Sequence, residues 1–186
     1  MNLKLSPETV AVLFVGSGWE RKGLRFAVEA VAKLGNPNIR LLVAGRGDGH
    51  RYERDQVEFL GEVSDVRPVY AASDIFILPT IYDPFSNASL EALASGLPVI
   101  TTRANGFSEI IENRIHGSIV DRADNLTDLV RALEDWSDPT RRAAARPSIR
   151  QRASQYDISR NVERTLEILV QVATRAASTS GKMRNT

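Results

Sequence analysis

Apolar and polar positions fall into alternating blocks along the first 135 or so residues, and the blocks predict strands and helices in turn. Residues 10–15, 39–44, 57–60, 75–78, 99–101 and 118–120 are short apolar runs rich in β-branched side chains, as strands buried on both faces require. Between them, apolar residues recur at helical spacing. Leu24, Ala27, Val28 and Val31 do so in 24–34, and Ala88, Leu90, Ala92, Leu93 and Ala94 in 87–95. From Asp124 onward Leu126, Leu129, Val130 and Leu133 form one stripe, with Trp136 packing at its end. Ser64 is placed to cap a short helix over 65–72, and 50–55 reads as a polar connector. Pro139 opens an Ala/Arg-rich helix that Pro147 should kink or interrupt. Residues 158–173 are amphipathic, with Ile158, Val162, Leu166, Leu169 and Ala173 on one face. From Ser178 the tail is small and polar and reads as disordered, which sets the expected domain at 1–177. The fold class this order predicts is α/β, a Rossmann-like parallel sheet with helices on both faces.

The turns at the strand ends carry the candidate chemistry. Pro79 stops the strand at 75–78, and Ser86 or Asn87 can cap the helix that follows. Gly96 and Pro98 end that helix before the next strand, so 74–102 is a βαβ unit with parallel strands. Free N–H groups and the helix dipole at its start favour an anion by about 0.3–1 kcal/mol. Asp83 and Glu91 flank that helix start with seven residues between them. A carboxylate cannot bind phosphate but can accept two hydrogen bonds from neighbouring sugar hydroxyls, so the combination suits a nucleotide sugar. The plainer alternative is that both carboxylates only complement the helix dipole.

The other rich turn is Gly16-Ser17-Gly18-Trp19-Glu20-Arg21-Lys22-Gly23, between a strand and a helix. A dinucleotide fingerprint fails because Arg21 stands where the third glycine belongs and Ala44-Gly45 where an acid should end the second strand. A P-loop fails because Leu24-Arg25 follows Gly23. What remains is Arg21 and Lys22 on a tight turn, where two cations would neutralise a diphosphate. Cations oppose the dipole at a helix start, so simple solvation explains them poorly.

Composition narrows the setting. The 186 residues are 42% hydrophobic and 25% charged, which fits one soluble α/β domain. A net charge of +1 argues against bulk capture of nucleic acid. With no cysteine there is no disulfide and no thiolate nucleophile or ligand, which is compatible with a reducing cytoplasm. His50 and His116 stand far apart in loop-like contexts and are expected to be solvated rather than metal-ligating. Neither a membrane span nor a signal peptide is visible. Glu109 is expected to bond a backbone end.

Asp83-(seven residues)-Glu91 followed by Ala92, then Ala94-Ser95-Gly96-Leu97-Pro98-Val99, resembles the E-x7-E signature of retaining glycosyltransferases of the GT-B fold. The resemblance is to family 4 (group 1), closest to the branch of the lipopolysaccharide core glucosyltransferases. It covers nearly everything from Val10 to Thr174. The family's first acid is usually Glu and its loop usually has Gly at Ser86, so this chain departs at both. The resemblance implies that Arg21 and Lys22 contact the departing diphosphate. Lys22-Gly23 matches the family's Lys-Gly, whereas the family's upstream Arg falls near Ser17, beside Gly18 on the glycine turn. It further implies that Glu91 holds the ribose hydroxyls and that Asp83 contacts hydroxyls of the transferred hexose. The main chain of Phe85, Ser86, Asn87 and Ala88 would cradle phosphate and sugar, and Glu62 and Val63 would contact the base.

No metal and no cofactor beyond the donor are implied, and a UDP-sugar is the expected donor. A GT-B enzyme carries its acceptor site on a second, N-terminal domain, and its terminal helix often crosses back to that domain. No counterpart of the acceptor domain is expected in this chain, so the fragment alone is expected to be inactive. The expected setting is cytoplasmic, with room for peripheral membrane association of a full-length enzyme and a lipopolysaccharide or polysaccharide acceptor. Two other readings stay open, a nucleotide-sugar epimerase of the same architecture and an inactive regulatory or scaffold module.

Overall fold

The computed structural model describes residues 5–183, and side chains as far as residue 175. The chain divides into two compact units, Met1–Arg152 and Ala153–Thr186. In the first, β1 (Val10–Val15) leads through α1 (Trp19–Lys22) and α2 (Leu24–Leu34) to β2 (Ile39–Ala44). A 3₁₀ turn at Gly49–Tyr52 precedes β3 (Val57–Gly61), and α3 (Arg67–Ala71) leads into β4 (Ile75–Leu78). Then come α4 (Asn87–Ala94), β5 (Val99–Thr102), a 3₁₀ turn at Gly106–Ile110, β6 (Gly117–Val120), α5 (Leu126–Ser137) and α6 (Pro139–Ala153).

The six strands form one sheet in the order β3-β2-β1-β4-β5-β6, and every neighbouring pair is parallel. The chain steps one way across the sheet from β1 to β2 and the opposite way from β4 to β5. With right-handed crossovers, α2 and α4 therefore cover opposite faces. β1 and β4 are neighbours at the point where the direction reverses, and the crevice beyond their carboxyl ends is where such sheets take ligands.

The core follows from the pattern. Every residue of β4 and β5 is buried, as continuous apolar runs covered on both faces should be. In α5 the buried face is Leu129, Ala132, Leu133 and Trp136. Trp136 is sealed from solvent because its indole N–H donates to Ser118 Oγ at 3.0 Å. Below the sheet, Asp74 ties two segments together: Oδ2 accepts from the Ala11 amide at 2.9 Å and Oδ1 from Arg142 at 3.1 Å.

Several local expectations change. The polar stretch after Asp48 includes a 3₁₀ turn because the Asp48 side chain accepts from the His50 amide at 3.1 Å. Ser64 does not cap α3, which starts at Arg67 after Val66; Asp65 instead accepts from the Arg67 amide at 3.1 Å. Pro147 sits inside an unbroken α6. The Glu109 side chain is exposed and makes no hydrogen bond among the described residues. His116 is buried rather than solvated, and its Nδ1 accepts from the Glu112 amide at 3.0 Å. Burial holds its pKa below the usual histidine value, Arg152 lowers it too, and Glu112 opposes the shift.

The second unit consists of a 3₁₀ turn at Ser154–Tyr156 and α7 (Ile158–Met183). Ile158, Val162, Leu166 and Leu169 on its apolar face are exposed. The tail expected to be irregular from Ser178 continues α7 to Met183, and 184–186 lie outside the described residues.

Candidate functional site

The strand ends bring three glycine turns to one edge. The Gly16 amide donates to Ala44 O at 2.9 Å and the Gly45 amide to Gly61 O at 2.8 Å, so the turns after β1, β2 and β3 are linked in a row. The loop after β4 joins them from the other side of the switch point. Ile81 donates its amide to Arg21 O at 2.9 Å, and Thr80 Oγ1 bonds the same carbonyl at 2.9 Å. Gly23 makes this approach possible: it has φ +77°, and a Cβ there would stand 1.9 Å from Pro79 O.

That junction places the two cations. Lys22 lies back over Gly16, whose missing Cβ would be 2.7 Å from the lysine stem. Its Nζ then reaches Asp83 Oδ2 at 3.3 Å, while Arg21 Nη1 stands 3.5 Å from the same oxygen and donates to Tyr82 O at 2.6 Å. Lys22 is mostly covered and Arg21 about half exposed, with side-chain exposures of 14% and 48%. Asp83 is buried and fixed at its backbone, donating to Ala104 O at 3.0 Å and accepting from the Gly106 amide at 2.9 Å. The chain thus supplies an internal carboxylate to the two cations at the mouth of the crevice.

Three residues on lies the start of α4. Ser86 is its cap: it is buried, and its Oγ accepts from the Ser89 amide at 3.2 Å. The amides of Asn87 and Ala88 have no acceptor among the described residues and remain available to an anion. Ser89 Oγ is buried at the same turn with no hydrogen-bond partner among the described residues. Asn87 and Glu91, four residues apart, share an exposed face of α4. Tyr70 holds Glu91 from behind, donating to Oε2 at 3.0 Å with Ala88 O at 3.1 Å. Burial, and then the Glu91 charge, push the phenol well above its ordinary range, so it stays a donor.

Of the other residues singled out in the sequence, Ser17 and Gly18 are exposed on the β1 turn, and Gly18 is the left-handed residue before α1. Phe85 is partly exposed and meets Phe107 edge-on at 6.1 Å. Glu62 and Val63 follow β3, and Glu62 pairs with Arg46 at 3.6 Å in the open. A cleft of about 420 Å³ beside these turns is lined by Gly18, Trp19, Arg21, Arg46, Arg51 and Tyr52, among others. No group of three His, Cys, Asp or Glu that could hold a metal occurs among the described residues.

Sequence reasoning passed over Tyr70, which reads as one more residue of α3, and Asn105, which reads as part of an Asn-Gly turn. Asn105 is buried; its Oδ1 accepts from the Phe107 amide at 3.1 Å and its Nδ2 donates to Thr101 Oγ1 at 3.0 Å. It also forms a lone parallel bridge with Asp83. The only local signal was an Asn two residues before an aromatic, the spacing at which its side chain accepts from the Phe107 amide.

A fully parallel 3-2-1-4-5-6 sheet whose switch point carries a basic turn and an open helix start is a Rossmann-like domain of the kind found in GT-B glycosyltransferases. Residues 9–138 match the family described as glycosyl transferases group 1, and the chain belongs to that family. An uncharacterized glycosyltransferase of Methanocaldococcus jannaschii is 33% identical over 140 residues, 67% of this chain and 36% of its own length. The lipopolysaccharide glucosyltransferase WaaG of Escherichia coli is 31% identical over 120 residues, 59% of this chain and 32% of WaaG. Thus the chain spans about a third of the length of these curated relatives. The crystal structure of WaaG superimposes with a TM-score of 0.78 at 25% identity, covering 88% of this chain and 48% of that one. HepE of Anabaena, solved with UDP, shares the fold with a TM-score of 0.75 at 20% identity over 88% of this chain and 49% of its own. Among the described residues no helix is long and apolar enough to cross a membrane.

Proposed function

We propose that this chain is the donor-binding part of a retaining glycosyltransferase that transfers a hexose from a nucleoside-diphosphate sugar, a UDP-sugar foremost, to a lipopolysaccharide or related cell-envelope acceptor. The observation that carries the reading is the Lys22–Asp83–α4 arrangement: a covered ammonium sits on Asp83, three residues before the helix start whose amides are free, and Glu91 is exposed one turn along that helix, held by Tyr70. The diphosphate lies against Lys22, Arg21 and the amides of Asn87 and Ala88, with the main chain of Phe85 and Ser86 beside it. Glu91 accepts the ribose hydroxyls, and Glu62 and Val63 meet the base through their main chain. The relatedness to WaaG supports the acceptor class, and HepE, crystallised with UDP, supports the base.

Transfer breaks the bond between the anomeric carbon and the diphosphate oxygen and forms one to the acceptor oxygen on the same face. The acceptor proton ends on the departing phosphate. Charge grows on that phosphate as the bond breaks, and Lys22 and Arg21 stabilise it there. Asp83 contacts hydroxyls of the transferred sugar and also holds Lys22 in place while the site is empty. An acceptor domain is needed for turnover, so the 186 residues by themselves bind donor weakly and transfer no sugar.

The test is equilibrium binding of UDP and uridine to the chain and to Lys22→Ala. A charge-assisted contact contributes about 1.5–3 kcal/mol, so the variant should bind UDP about tenfold or more weakly and uridine unchanged. Equal affinities of wild type for UDP and uridine, or a Lys22→Ala chain that keeps wild-type UDP affinity, removes the diphosphate role of this turn.

A further inference from the structure

We infer that the face of the sheet carrying α3 and α6 holds a second anion site, a pocket for a phosphate monoester built by Arg67, Arg146 and Arg150. The pocket has a volume of about 230 Å³ and is also lined by Tyr70, Ser73 and Ser95. That is below the usual size of a drug-sized ligand pocket and suits a phosphate group with a small substituent.

The arginines of α6 divide into two sets. Arg141 stacks on Trp136 at 4.3 Å and pairs with Asp135 at 3.3 Å, Arg142 pairs with Asp74 at 3.1 Å, and Arg152 donates to Ile110 O. Each of these has an evident task inside the fold. Arg146 and Arg150, one turn apart on the same helix, have neither a carboxylate nor a hydrogen-bond acceptor among the described residues, and both line this pocket. Arg67 enters from α3 with its Nε and Nη2 taken by Asp65 at 2.8 and 2.9 Å, which fixes its orientation and leaves its remaining donors outward. Asp65 offsets the charge of Arg67 alone, and no carboxylate among the described residues lines the pocket to offset Arg146 and Arg150.

A structural explanation for the pair would be that they close the carboxyl end of α4, where cations are favoured. Three of the last four carbonyls of α4 are already occupied. Ser95 N donates to Glu91 O at 2.9 Å, Gly96 N to Leu93 O at 2.9 Å and Leu97 N to Ala92 O at 3.0 Å. Packing, rather than bonding, holds the arginines against that end. A Cβ on Gly96 would stand 2.9 Å from Arg150 Nε and 3.0 Å from Arg146 Cγ, so the two stems lie directly across the glycine. Guanidiniums set side by side with their donors unspent match the oxygens of a phosphate, which accepts in the same forked geometry. The hydroxyls of Ser73 and Ser95 already donate to Val69 O at 2.7 Å and Glu91 O at 2.9 Å, so they present lone pairs to a protonated oxygen or an attached hydroxyl.

The pocket shares the Tyr70 side chain with the back of the proposed donor site but none of its cations, and the test keeps the two apart. Inorganic phosphate is titrated into the full chain at constant ionic strength while backbone amide resonances are followed. Shifts are expected at Ser95, Gly96 and Leu97, they should persist in Lys22→Ala, and their midpoint should rise about tenfold or more in Arg146→Gln/Arg150→Gln. The Arg146→Lys/Arg150→Lys chain keeps the charge but loses the fork, and should fall between. Unchanged resonances elsewhere show that the variants are folded. Vesicles containing phosphatidic acid form the second arm: sedimentation of the chain with them, abolished by the double Gln change, assigns the phosphate to a lipid headgroup. Saturation by free phosphate without vesicle binding assigns it to a soluble monoester. If neither probe binds, or if both bind the double Gln chain as they bind wild type, the inference is wrong.

Discussion

Tyr70→Phe isolates one hydroxyl at the back of the candidate donor site. The ring is buried, 3% exposed, and stands 6.1 Å from Phe76, so the substitution keeps the packing and removes only the oxygen. That oxygen donates to Glu91 Oε2 at 3.0 Å and lies 3.1 Å from Ala88 O. A hydrogen bond to a buried charge can contribute more, but Glu91 is exposed and water replaces the lost donor. The stability cost is therefore that of an ordinary hydrogen bond, about 0.5–1.5 kcal/mol. For a chain of this size such a cost lowers Tm by about 1–6 °C in calorimetry. The functional cost has a different origin. Freed from Tyr70, the Glu91 side chain must be ordered when ribose binds, at about 0.5–1.5 kcal/mol, which is about two- to tenfold in Kd for UDP. Glu91→Ala removes the acceptor itself and should cost more, and in the double variant the Tyr70 effect on Kd should vanish. The reasoning fails if Tyr70→Phe leaves Kd unchanged while Glu91→Ala weakens it, because the phenol then orients nothing.

Gly23→Ala forces a Cβ into the 1.9 Å approach to Pro79 O at φ +77°. Left-handed strain of about 1–2 kcal/mol and overpacking of about 1–3 kcal/mol together predict a loss of about 2–5 kcal/mol in urea unfolding, and a loss under about 1 kcal/mol would show that the β1 and β4 turns are not locked together. His116 gives the chain a pH-dependent contribution. Its folded pKa lies below the unfolded value, so the unfolded chain binds the extra proton first; stability is full above the ordinary value of 6.5 and falls as pH drops through it toward the folded pKa. Unfolding free energy measured across that window should lose this slope in His116→Gln, and an unchanged slope would put the titration elsewhere.

How much of this was legible in the sequence depends on the range of the interaction. Strand identity and the span of α2 were visible because burial on both faces, or on one stripe, writes itself into local periodicity. The Ser86 cap was visible because a cap bonds its own chain three residues on. Ser64 offered the same signal and the chain passed it by, because Asp65 lay closer to the first free amide and its charge makes the stronger acceptor. The roles of Tyr70, Asn105 and His116 were hidden for another reason. Tyr70 meets Glu91 across 21 residues, and it comes there only because β4 separates the two helices. Asn105 reaches Asp83 only when the loops after β4 and β5 lie side by side. His116 is buried by a turn whose backbone it helps to close. The same distinction governs the site itself. Lys22 and Glu91 were recognisable as residue types at suggestive spacing, but Asp83 as the counterion of Lys22 is a contact across 61 residues that only the β1–β4 switch point creates. On the proposed reading, Lys22 exchanges Asp83 for the diphosphate when donor binds. Donor affinity on that reading is a difference between two ion pairs, and an Asp83→Asn chain should bind diphosphate no more weakly than wild type at Lys22 even where it loses contact with the sugar.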